Sequence, residues 1–156
     1  MVLALFALVG GLLVACGEDE GGAGGDEATT VQVTLDEWAV ATEPASAPSG
    51  EVTFEVSNAG DEVHEFVVIR TELGLLDLPT AEDGSVDEEG AEDMEVIGEV
   101  EDIAAGASET LILDLEAGQY VLICNIVEEQ MDMDEMDMEH DPSHYQNGMR
   151  TGFTVQ

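Results

Sequence analysis

The sequence predicts an all-β domain, a sandwich of about seven strands. Composition gives the first reason. Beyond residue 30, short segments rich in Val, Ile, Leu, Thr and aromatic residues recur between clusters of Gly, Pro, Asn and Asp, and no stretch repeats its apolar residues at helical spacing. Alternation gives the second: Val52, Phe54 and Val56 fall on one face of a segment and Glu51, Thr53 and Glu55 on the other, as a half-buried strand requires.

At the start of the chain, residues 1–14 are apolar apart from glycine and lead into Leu13-Val14-Ala15-Cys16. This run reads as an export signal over 1–15, too short for a membrane-spanning helix, which takes about 20 apolar residues. The basic residues that usually open such a signal are absent. Leu-Val-Ala-Cys resembles a prokaryotic lipobox, in which small residues let the signal be cut before a cysteine whose thiol is lipidated. That resemblance implies an anchor at Cys16 and a mature chain held to the membrane outside the cytoplasm. Residues 16–30 are acidic and glycine-rich with no large apolar side chain, a flexible tether. The remaining residues, 31–156, suit one domain able to bury a core.

Within that domain the expected strands are 30–35, 51–58, 64–71, 95–101, 108–115, 119–125 and 151–156. Ala105-Gly106 and Ala117-Gly118 mark turns ahead of two of them. In the strand before Asn125, Tyr120, Leu122 and Cys124 share the core-facing side. Residues 72–93 read as a long acidic loop that covers part of the sandwich, with Leu73, Leu75, Leu76 and Leu78 able to form one helical turn.

The net charge is −35, from 37 acidic residues against Arg70 and Arg150. Nucleic-acid binding is excluded by that balance. Self-repulsion of this size disfavours a compact chain unless salt screens it, so the charge fits a protein adapted to high ionic strength; it also attracts a basic partner.

Only two cysteines occur, Cys16 and Cys124. With Cys16 lipidated, Cys124 has no partner for an internal disulfide and is a buried inert thiol, an intermolecular bridge or a metal ligand. The residues downstream bear on the choice. Cys124, His144 and Met149 follow in order on one connection into the last strand, and His64 opens a distant strand after a glycine-containing turn. Taken singly, the cysteine reads as a small buried hydrophobe, Met149 as core packing and His64 as an ordinary surface histidine. Together they make the thiolate, two imidazoles and weak axial thioether of a blue copper site. From about Val31 to the C-terminus the chain resembles the cupredoxin family, especially small bacterial and archaeal plastocyanin-like copper proteins. The resemblance implies a Greek-key sandwich with one type 1 copper near one end, carrying single electrons between larger redox proteins and catalysing no reaction of its own. Its expected partner is a cytochrome or copper oxidoreductase.

Two features depart from the family pattern. Nineteen residues separate Cys124 from His144, where a few are usual; closing the longer loop costs only about 1 kcal/mol more. The insertion, 126–143, carries Met131, Met133, Met136, Met138 and His140 among acidic residues. Thioethers select Cu(I), so this segment reads either as a second copper site that captures the metal or as a solvated acidic loop. His140 competes with His144 as ligand, and His-Tyr followed by Gly-Met favours His144. Glu65 follows His64 where many cupredoxins place an asparagine tying the ligand loops together; Asn58 and Asn125 are the available substitutes. Electron transfer is the leading function, and a copper chaperone or storage lipoprotein using the methionine-rich loop is the alternative. No arrangement of His, Cys or Ser suggests a hydrolytic nucleophile.

Overall fold

A computed structural model describes residues 28–88, 92–128 and 143–156. Nine strands and one short helix make up the described chain: β1 (Thr29–Asp36), β2 (Ala39–Glu43), β3 (Ser46–Ala47), β4 (Gly50–Asn58), β5 (His64–Thr71), β6 (Met94–Ile103), β7 (Ser108–Leu115), β8 (Gly118–Ile123), α1 (His144–Asn147) and β9 (Arg150–Val155). They form two sheets, ordered β2-β1-β4-β7 and β3-β9-β8-β5-β6. The chain visits the five-stranded sheet briefly at β3, returns for β4, crosses again between β4 and β5, comes back between β6 and β7, and crosses once more into β8, as in a Greek-key sandwich. Among the described residues no helix is long and apolar enough to cross a membrane.

Alternation produces the core. Val31, Val33 and Leu35 of β1 and Val52, Phe54 and Val56 of β4 meet Phe66 and Val68 of β5, Tyr120 and Leu122 of β8, and Phe153 and Val155 of β9. Phe54 contacts Phe66 and Phe153 with ring centroids 5.3 and 5.6 Å apart. All seven expected strands are present. The two additional ones, β2 and β3, are short; β2 buries only Val40 fully and so shows little of the alternation by which a strand is recognised. β1 begins at Thr29, inside the segment expected to be tether.

The five-stranded sheet is covered on both faces. Behind it, Leu78 and Val86 of the long loop pack with Tyr145 against Val67, Ile69, Val121 and Ile123, so the loop does cover the sandwich. It does so without the expected helical turn. Asp77 N donates to Gly74 O at 2.9 Å in a tight turn that leaves Leu75 and Leu76 exposed, while Leu78 goes inward.

Candidate metal centre

Three of the four ligands expected from the sequence converge at one end of the sandwich. His64 opens β5, Cys124 follows directly on the last residue of β8, and His144 opens α1; all three are buried. The two Nδ1 atoms stand 3.2 Å apart, and Cys124 Sγ lies 3.4 Å from that of His144 and 3.9 Å from that of His64. These separations put the centre of the triangle about 2 Å from each donor, the length of a metal–nitrogen bond. Met149, the fourth, is buried in the same core cluster as Cys124. Its backbone joins the other two: Cys124 N donates to Met149 O at 3.1 Å, and Met149 N donates to His144 O at 3.0 Å.

The long insertion does not separate Cys124 from His144. Val127 pairs with Ser143 in an isolated bridge, and His144 N donates to Ile126 O at 2.9 Å, so the extra residues leave and rejoin the ligand loop at adjacent points. Ser143 caps α1 by accepting from Gln146 N, and Gly148 ends it at φ 130°. A Cβ at Gly148 would stand 3.0 Å from Trp38 O, so glycine is needed there for close approach as well as for its dihedral. Trp38, in the β1–β2 turn, meets the His144 ring edge-on at 4.9 Å.

No family model matches this sequence, and no curated protein matches it. Solved structures do match the fold. An auracyanin from the photosynthetic bacterium Roseiflexus castenholzii aligns over 83% of this chain and 98% of its own at 19% identity, with a TM-score of 0.54. Auracyanin A, a "blue" copper protein from Chloroflexus aurantiacus, aligns over 83% and 100% at 17% identity with a TM-score of 0.54. Auracyanin B gives 83% and 89%, 21% identity and 0.52. The chain has a cupredoxin-like fold. At these identities the likeness is one of architecture.

The cupredoxin-like sandwich surrounds the three donors with groups that the sequence left unassigned. Glu37, in the turn after β1, holds His64 Nε2 at 2.9 Å and accepts from the amides of Asp61 and Glu62. Burial pushes its carboxyl up, but those amides and the facing imidazole outweigh it and hold Glu37 below the usual carboxylate range. An ionised carboxylate only accepts, so His64 carries its proton on Nε2 and turns the Nδ1 lone pair inward. No motif marks Glu37; the chain's single tryptophan next to it was the one available signal.

Glu65 performs the tie expected of an asparagine. Its amide donates to Cys124 Sγ at 3.4 Å and its Oε1 accepts from Asn125 N at 2.8 Å, joining β5 to the cysteine loop. Burial pushes its carboxyl up to about 7. Asn125 itself secures the long loop, through Val86 and Glu88, and Asn58 secures the turn ahead of His64, through Glu62 O and Gly60 N. Burial raises the Cys124 thiol to about 11 and, with the neighbouring His64, lowers His144. Cys16, the signal segment, Met131, Met133, Met136, Met138 and His140 lie outside the described residues.

Proposed function

We propose that this chain is a one-electron carrier with a single type 1 copper held by His64, Cys124, His144 and Met149, tethered outside the cytoplasmic membrane through Cys16. The observation that carries the reading is the triangle of two imidazole nitrogens and one sulfur, sized for a metal at bonding distance from all three. The fold likeness to auracyanin A, a blue copper protein, supports it.

Copper bound there supplies a cupric–cuprous couple, one electron at a time. The protein's own groups prepare the donors. Glu37 fixes the His64 tautomer so that Nδ1 is the free nitrogen. Burial keeps His144 neutral, with a lone pair to give. The Cys124 thiol must lose its proton to become a ligand, and the Glu65 amide then donates to the thiolate. Because β5, β8 and α1 are tied to one another around the donors, little has to move when charge changes. The partner under this reading is a cytochrome or copper oxidoreductase with a basic face, given the net charge of −35.

Adding Cu(II) to the purified chain tests the assignment. An intense blue thiolate-to-copper band is expected in the original chain and no such band in Cys124→Ser. A colourless complex, or a band that survives the replacement, overturns it.

A further inference from the structure

The face of His144 turned away from the three-donor cluster carries a second constellation. Its Nε2 atom points at Glu62 Oε2, 3.7 Å away, and at Glu128 Oε1, 3.9 Å away. Both distances are too long for a hydrogen bond. His144 is 1% exposed, and among the described residues neither its Nε2 nor the buried Glu62 Oε2 has a hydrogen-bond partner.

Proton bookkeeping explains why no hydrogen bond spans the gap. Glu37 accepts from two backbone amides and from Nε2–H of His64, so His64 Nδ1 is an acceptor. The 3.2 Å contact between the two Nδ1 atoms is satisfied when His144 carries its proton on Nδ1, with the Cys124 thiol 3.4 Å from the same atom. A neutral His144 with hydrogen on Nδ1 has a bare lone pair on Nε2, facing the Glu62 and Glu128 carboxyl groups, which also repel one another. Buried acceptors left in this way are costly, and a cation relieves all of them at once.

We propose that Glu62, Glu128 and Nε2 of His144 form a second cation site, which takes a divalent ion of borderline hardness such as zinc while no metal occupies Nδ1. The three donor atoms lie within 4.8 Å of one another. Ligands about 2.1 Å from a tetrahedral zinc stand about 3.4 Å apart, so the two carboxylates need close by only a few tenths of an ångström. Both glutamates are partly exposed, at 43% and 54%, and free to adjust. One imidazole and two carboxylates suit zinc and its neighbours better than the soft cuprous ion.

The two sites share one histidine, and a neutral imidazole has one lone pair. A metal on Nδ1 therefore sends the ring proton to Nε2, where it faces the glutamates as a donor and closes the outer site. Occupation of the outer site holds the proton on Nδ1 and closes the inner one. The outer ion thus guards the metal-free cluster and gives way when the inner site fills. This goes beyond the electron-carrier reading and does not depend on which metal the inner donors take.

Zinc titrated into the full chain carrying Cys124→Ser tests the proposal, since that replacement removes the thiolate that draws zinc inward. Nitrogen-15 spectra of the imidazole rings report the atom bound. Zinc is expected to shift His144 Nε2 and leave Nδ1 protonated, and adding Glu62→Gln with Glu128→Gln is expected to weaken this response at least fivefold. In the chain that keeps Cys124, the same two glutamine replacements are expected to leave the Cu(II)-dependent blue band in place. Zinc on Nδ1, no response at His144, or weakening of less than fivefold overturns the outer site. Absence of the blue band from the unreplaced chain overturns the copper reading and leaves the zinc result standing.

Discussion

Glu65 shows how one residue does two jobs beside the donors. Its amide reaches the sulfur, and its carboxylate bridges to Asn125, in a place where burial favours the neutral acid. The folded carboxyl titrates at about 7, above the ordinary value of 4.5 that the unfolded chain retains. Folding therefore takes up a proton between those values. The contribution of Glu65 to stability is whole below pH 4.5 and is lost as pH rises through 7. Allowing for partial exposure to solvent, the loss is about 2 kcal/mol. Glutamine keeps the oxygen that accepts from Asn125 and never ionises. In the metal-free chain, Glu65→Gln is thus expected to match the original at pH 4 and to exceed its stability by about 2 kcal/mol at pH 8. Urea denaturation at both values measures this, and parallel pH profiles for the two proteins would contradict it.

At the scale of elements, the loop over the five-stranded sheet is an integral layer of the fold. Leu78 sits in a sealed cluster with Val67, Ile69, Val121, Ile123 and Tyr145, so Leu78→Ala is expected to cost about 2–4 kcal/mol. Leu76, two positions away, is 73% exposed, and Leu76→Ala is expected to change stability by less than about 0.5 kcal/mol. Urea midpoints of the two variants separate a packed layer from a loose connection; equal effects would argue against the layer. The same contrast explains what the sequence disclosed. Strands with buried alternating faces, such as β4, were legible because their period of two is set by burial. β2 and β3 were not, since they bury one residue each, and neither was α1, whose four residues show no period. Its Ser143-His144-Tyr145-Gln146 run does carry the Ser-x-x-Gln pattern of a capping box, a signal that was available. At the site, His64, Cys124 and His144 stood out in the sequence because few residue types can serve as soft or borderline metal donors. Glu37, Glu62 and Glu128 were hidden among 37 acidic residues, distinguished only by where the fold puts them.

At the scale of the whole molecule, charge sets the conditions under which the sandwich holds together. Arg70, paired with Glu116 at 2.6 Å, and Arg150, over the Tyr145 ring and on Tyr145 O, are two positive charges against 37 acidic residues and offset little of the general repulsion. In the folded state the acidic side chains share a surface that the unfolded chain would spread over a much larger volume. Repulsion therefore falls more heavily on the folded state, and screening relieves it. The Debye length contracts from about 10 Å at 0.1 M salt to about 3 Å at 1 M, which is short enough to uncouple most exposed carboxylates from one another. The urea midpoint is accordingly expected to rise steadily with sodium chloride over this range. A neutral osmolyte at matched osmolality stabilises by exclusion from the surface alone and separates that effect from screening. A salt response no larger than the osmolyte's would mean that the acidic surface does not strain the fold. A larger response has a consequence for the proposed redox encounter. The salt that steadies this sandwich also weakens steering of a basic partner toward the end bearing Glu62 and Glu128, so stability and association rate are expected to move in opposite directions with ionic strength.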